Sequence, residues 1–247
     1  MKETAGAEET EKKFEEYQKI IKNILSAFHR VPFSIILEST LGYEVYSMDL
    51  RDERNLALKK NIVKLADSIT LFHNKHLITP ILYKEQLGHL PRNFRANEVS
   101  VILERVFPQR FEELKEGKGE EKEEFECIAA VEKFGAQGYP DEKIEDKWGR
   151  TTYLELKATT RPHEGSPRDF FFTPLKNTRA KIKNDALHLL LGFVIREVEP
   201  QQFKTVGWKL VDLSKIKVTM KPEFNTDNKE IYIKEAVIEE RWVEEID

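Results

Sequence analysis

The sequence predicts an α/β protein, with a mostly helical region over residues 1–115 and a strand-rich region over 116–247. Three observations carry that prediction. Apolar residues recur at helical spacing in three segments before residue 110. Beyond Gly117–Gly119 the pattern changes to short β-branched and aromatic runs broken by Gly and Pro. From residue 120 onward the elements follow the order helix, strand, strand, strand, helix, strand. The 247 residues, 40% of them hydrophobic, are enough to build a buried core.

The first helix is expected over 11–29, where Phe14, Tyr17, Ile20, Ile21, Ile24, Leu25 and Phe28 share a face; residues 1–12 look disordered. A second is expected over 53–73, with Leu56, Ile62, Val63, Leu65 and Ile69 on one side. A third starts at an Asn97 N-cap, carries Val99, Ile102, Leu103 and Val106, and stops before Pro108. Residues 31–50 have no clean period. A helix is expected from about 120 to 134, ending at Gly135. Residues 141–147 and 151–160 flank Trp148-Gly149-Arg150 and read as a β-hairpin with a three-residue loop. Phe170–Thr173 reads as a strand closed by Pro174, and Lys176–Ala186 as a short polar helix. The run from His188 to Glu197 is apolar throughout, as in a strand buried on both faces. Strands at 206–211, 215–220 and 231–238 would form a C-terminal β extension.

Composition narrows the function classes. A lone cysteine, Cys127, excludes an internal disulfide framework and a Cys-rich zinc site. Met1–Lys13 is polar, without the apolar core of a secretory signal, and no segment approaches the ~20 apolar residues of a membrane helix. The expectation is an intracellular, cytoplasmic protein of prokaryotic type. No Gly-rich phosphate loop is present, so no nucleotide cofactor is expected. His73-Asn74-Lys75-His76 is read as the histidine-bearing end of a helix rather than as a metal motif. Net charge is −4, but the charge is segregated: residues 157–185 hold seven Lys and Arg against three Asp and Glu.

The chemistry gathers at the hairpin. A loop at 148–150 would pair Lys147 with Thr151, setting Asp141 opposite Lys157 and diagonal to Glu155. Glu155 and Lys157 then share one strand face while Leu154, Leu156 and Ala158 take the other. Opposite neighbours lie about 5 Å apart and diagonal ones about 7–8 Å, so two carboxylates and an ammonium converge. Two convergent carboxylates repel unless a cation joins them, and a hard, oxygen-liganded ion such as Mg²⁺ fits. Other acid-x-Lys triplets occur, Glu113/Lys115 and Asp227/Lys229 among them, but only Glu155/Lys157 lies in an apolar strand behind a Pro-Asp at hairpin distance. Asp146 becomes a competing acid if the loop register slips.

Pro140-Asp141, thirteen intervening residues and Glu155-Leu156-Lys157 resemble the PD-(D/E)xK nuclease superfamily, and the run YPDEKIEDKWGRTTYLELKAT is most similar to type II restriction endonucleases. The resemblance covers Gly119 to Glu197. It implies a mixed-sheet restriction-endonuclease-like core (αβββαβ) within 116–247, and Mg²⁺-dependent hydrolysis of phosphodiesters in double-stranded DNA. It further implies that Asp141 and Glu155 hold the metal and that Lys157 orients or helps deprotonate the attacking water. Members often place one more acid on the preceding helix, where Glu126 is the first candidate, with Glu120, Glu121, Glu123 and Glu124 close by. A homodimer follows if palindromic sites are cut, with residues 1–115 supplying dimer or DNA contacts. Arg161, His163, Arg168, Lys176, Asn177, Arg179, Lys181 and Lys183 form a strip suited to DNA phosphates and base edges. Two other readings use the same residues: a repair or structure-specific nuclease of this superfamily, and a DNA-binding module without catalysis.

Overall fold

A computed structural model describes residues 2–27, 29–116, 127–134, 138–160 and 181–219. In chain order the elements are α1 (Lys2–Ala27), β1 (Val31–Pro32), α2 (Phe33–Leu41), β2 (Val45–Tyr46), α3 (Glu53–His76), α4 (Pro80–Leu87) and α5 (Ala96–Lys115). They continue with β3 (Ile128–Lys133), β4 (Glu142–Asp146), β5 (Thr151–Thr159), β6 (Ala186–Glu199), β7 (Gln202–Asp212), a 3₁₀ turn at Leu213–Lys215 and β8 (Lys217–Val218). The chain divides into two compact units, one of Met1–Val31 with Val218–Asp247, the other of Pro32–Lys217.

In the first unit α1 starts at Lys2, where the composition predicts disorder. Tyr17, Ile20, Ile21 and Ile24 fall at helical spacing as expected and are exposed.

The second unit is an α/β fold on a mixed sheet, as the sequence predicts. Its strand order is β2-β6-β5-β4-β3, with β7 also paired to β6. β5 and β6 run parallel, while β3–β4, β4–β5 and β6–β7 are antiparallel. Alternation along β5 and β6 sorts the two sheet faces. Leu154, Leu156, Leu189, Leu191 and Phe193 join Leu58, Ile62 and Leu65 of α3 and Ile102, Leu103 and Phe107 of α5 in one buried cluster. On the other face His188 stacks on Tyr139 and packs tilted against Tyr153, while Phe33 of α2 meets Tyr139 and His188 edge to face. Both faces of the central strands are therefore covered, which explains the unbroken apolar run of β6.

Four expectations are corrected. Residues 128–133 form strand β3 rather than a helix; the spacing of Ile128, Ala129 and Val131 suits either period, and the ladder to β4 decides. Asn61 of α3 anchors that strand, its Oδ1 accepting from the N–H groups of Cys127 (2.9 Å) and Ile128 (3.2 Å). α5 continues through Pro108, because burying Phe107, Phe111 and Leu114 outweighs the ~3 kcal/mol that an internal proline costs. Its N-cap is Arg95 rather than Asn97, with the Glu98 carboxylate accepting from the Arg95 N–H at 2.9 Å. Lys181–Asp185 is not helical, and Ala186 already opens β6. The expected strands at 170–173 and 231–238, and residues 120–126 of the expected helix, lie outside the described residues.

Candidate active site

The hairpin of β4 and β5 builds the site. Its ladder pairs Glu142 with Leu154 and Glu145 with Thr151. Asp146 donates its backbone N–H to the Arg150 carbonyl at 3.1 Å, so the three-residue loop is Lys147-Trp148-Gly149, one residue earlier than expected. Gly149 takes a left-handed φ of 74°, which a glycine adopts without steric cost. Moving the loop by one residue moves every pairing by two. Asp141 therefore stands opposite Glu155 itself, with Lys157 diagonal, correcting the expected order. The faces survive because a shift of two preserves the alternation.

Asp146 is no rival acid. Its Oδ1 accepts from the N–H groups of Trp148 and Arg150 at 3.0 and 2.9 Å, and its Oδ2 accepts from Arg150 Nε at 2.7 Å. It serves as the hairpin cap.

Asp141 precedes β4 and is fastened to β5 at two points. Its N–H donates to the Leu154 carbonyl at 3.2 Å, and its Oδ2 accepts from the Leu156 N–H at 2.8 Å. Glu155 is 2% exposed; its Oε1 accepts from the Lys157 ammonium, and its Oε2 is buried with no hydrogen-bond donor among the described residues. Asp141 acts directly on the Glu155 carboxyl, so with both ionised the two repel. Burial first, and Asp141 second, push the Glu155 carboxyl up to about 7, against the downward pull of Lys157. Lys157 reaches this pocket with 44% of its side chain still exposed.

A further acid arrives from α5. Glu104 is half-buried, 3.5 Å from the Lys133 ammonium of β3, and its carboxyl is raised by burial and then by Asp141. No local pattern in the sequence signals this. Glu104 lies one turn after Ser100, whose Oγ accepts from the Ala158 N–H of β5 at 3.1 Å, so this helix side faces the strand bearing Glu155.

The residues fit a hard cation. Two carboxylates face each other, and among the described residues a buried oxygen has no donor. Among the described residues no three His, Cys, Asp or Glu groups already form a cage, and Mg²⁺ typically takes one or two carboxylates and keeps several waters.

A family model, that of the type II restriction enzyme MjaV family, matches residues 26–235. The chain belongs to that family. It is a type II restriction enzyme, a site-specific deoxyribonuclease. The enzyme is 27% identical over 241 residues to the type II restriction enzyme MjaV of Methanocaldococcus jannaschii, an alignment covering 92% of this chain and 96% of that protein. No solved structure matches it.

Around the enzyme's carboxylate pair the structure distributes the other sequence candidates unevenly. Lys181 comes to the site, its ammonium bonded to the carbonyls of Gly138 and Pro140. Lys183 is exposed and contributes its backbone N–H to Tyr153 Oη at 2.8 Å. Glu126, Arg161, His163, Arg168, Lys176, Asn177 and Arg179 lie outside the described residues. His73 is a buried histidine at the end of α3, 3.2 Å from Thr205 Oγ1. Among the described residues no helix is long and apolar enough to cross a membrane.

Two buried residues next to the site escape sequence reasoning. Tyr139, just before Pro140-Asp141, has its hydroxyl 2.7 Å from His188 Nδ1, and burial pushes that imidazole down to about 3, so it stays neutral. Glu142 pairs with Leu154 and shares its face, turned from Asp141 toward the helices. It is 0% exposed, neither oxygen has a hydrogen-bond partner among the described residues, and burial pushes its carboxyl up to about 8.

A carboxyl raised from its ordinary 4.5 to about 8 weakens folding as pH climbs through that window, because the folded state then holds a proton the unfolded chain has released. Glu142→Gln should therefore leave stability near wild type at pH 4 and raise it at pH 9 by on the order of 2–4 kcal/mol. Cleavage at pH 7 should change little, since Gln resembles the protonated form. Urea melts at the two pH values check this; equal wild-type and variant midpoints at pH 9 would contradict it.

Proposed function

We propose that this restriction enzyme hydrolyses phosphodiesters of double-stranded DNA with Mg²⁺ held by Asp141 and Glu155, as in the PD-(D/E)xK superfamily. The observation that carries the reading is the pair itself: Asp141 faces Glu155 across the hairpin, and a buried Glu155 oxygen has no donor among the described residues. Bound there, Mg²⁺ supplies Lewis-acid stabilisation of the charge that develops on the phosphate. Lys157, bonded to Glu155 Oε1 yet partly exposed, orients the attacking water and meets the scissile phosphate from the solvent side. In-line attack then leaves a 5′-phosphate and a 3′-hydroxyl, the outcome the superfamily resemblance implies. Glu104 is the further acid that the geometry favours; Glu126 keeps the place the resemblance gives it.

The duplex backbone lies along the cationic strip of Arg161, His163, Arg168, Lys176, Asn177, Arg179 and Lys183. Neutralising several of these residues should flatten the salt dependence of binding. Two copies form the working unit on palindromic sites, with residues 1–115 carrying dimer or DNA contacts, in the cytoplasm.

Digestion of phage DNA tests the whole reading. Discrete fragments with Mg²⁺ and none with a chelator are expected. Cleavage confined to branched or mismatched substrates would favour a repair nuclease, and metal-independent binding without cleavage would favour a non-catalytic module.

A further inference from the structure

Lys181 belongs to the basic strip by sequence, but its ammonium is not left to solvent for a phosphate. It donates to the Gly138 carbonyl and, at 2.7 Å, to the Pro140 carbonyl, the two that bracket Tyr139 directly ahead of Asp141. The Phe134 ring centroid lies 5.4 Å away. Four acids on three elements act on its charge: Asp141 with Glu142 at β4, Glu155 of β5 and Glu104 of α5. Among the described residues the other cations acting on those acids are Lys133 of β3 and Lys157 of β5. Burial shifts the ammonium's titration downward against the pull of the four acids, and at this partly buried point its two backbone bonds gain strength. Lys181 thus joins the approach to β6 onto the turn that delivers Asp141.

We propose that Lys181 is a positioning residue of the cleavage site, its ammonium holding the Gly138–Pro140 turn so that Asp141 stays opposite Glu155. The inference rests on the reading of Asp141 and Glu155 as the ion-holding pair. A displacement of about 1 Å at such a group can cost on the order of 10²-fold in rate.

The test compares wild type, Lys181→Met, Lys181→Arg and Asp141→Asn as full-length proteins. Hydrogen exchange in metal-free protein should quicken at the Asp141 and Glu142 amides of Lys181→Met and remain slower in Lys181→Arg. Plasmid cleavage by Lys181→Met should lose about 10²-fold in kcat with KM within about twofold, and Lys181→Arg should recover part of that loss. The salt dependence of plasmid binding in Ca²⁺ should match wild type. A salt slope smaller by about one, with exchange unchanged, would make Lys181 a phosphate contact and overturn the proposal. Wild-type kcat in Lys181→Met beside an inactive Asp141→Asn would overturn this inference alone. A fully active Asp141→Asn would overturn the site reading beneath it.

Discussion

Lys157→Ala should cut DNA at least about 10³-fold more slowly than wild type while still binding it, within the range expected when a positioned proton-transfer or water-orienting group is lost. Two effects combine. The ammonium that bonds Glu155 Oε1 and stands partly in solvent disappears, and with it the group proposed to orient the attacking water. The cation that draws the Glu155 carboxyl downward is lost as well, so burial and Asp141 push that carboxyl above its wild-type value of about 7. Residual activity should therefore rise with pH further into the alkaline range than wild-type activity does. Single-turnover plasmid cleavage across pH 6–9, beside gel-shift binding in Ca²⁺, measures both effects. A variant within tenfold of wild type at every pH would remove Lys157 from the reaction.

Glu155→Gln should have the second large effect, in opposite directions on function and folding. Removing one of two facing carboxylates should lower Mn²⁺ affinity and cleavage by more than the 10–100-fold typical of an outer-shell partner. Stability of the metal-free protein should rise. The wild-type carboxyl moves from an ordinary 4.5 to about 7 on folding, so the wild type loses stability as pH rises between those values. At pH 4 the two proteins should melt alike; at pH 8 Glu155→Gln should be firmer by on the order of 1–3 kcal/mol. Added Mg²⁺ should narrow or reverse that gap, because the ion stabilises the folded form it binds. Melting curves at pH 4 and pH 8, with and without Mg²⁺, would show the crossing; a variant less stable than metal-free wild type at pH 8 would contradict it.

How far the sequence discloses this molecule depends on the range of the interactions involved. The helix α3 and the strands β4 to β7 are legible because each carries its own period or an unbroken apolar run, as in His188–Glu197. β3 is not, since Ile128, Ala129 and Val131 fit two periods and only pairing with β4 separates them. The stop at Pro108 fails for a related reason: a local penalty is outweighed by tertiary burial of Phe107 and Phe111. At the site, Asp141, Glu155 and Lys157 are readable because they share one hairpin. Their partner order is displaced by two, because Gly149 rather than Arg150 ends the loop. Glu104 and Lys181 come from elements distant in the chain, and no local spacing signals that they meet these carboxylates.

A crystal of the enzyme soaked in Mn²⁺, with the ion located by anomalous scattering, would show whether Asp141 and Glu155 hold the metal. A peak bonded to one oxygen of Asp141 and one of Glu155 is expected, at roughly the 2.0–2.2 Å of a small hard divalent ion, with Lys157 beside it. Well-ordered Mn²⁺ bound away from both carboxylates, or an Asp141 turned from Glu155 in the loaded crystal, would contradict it.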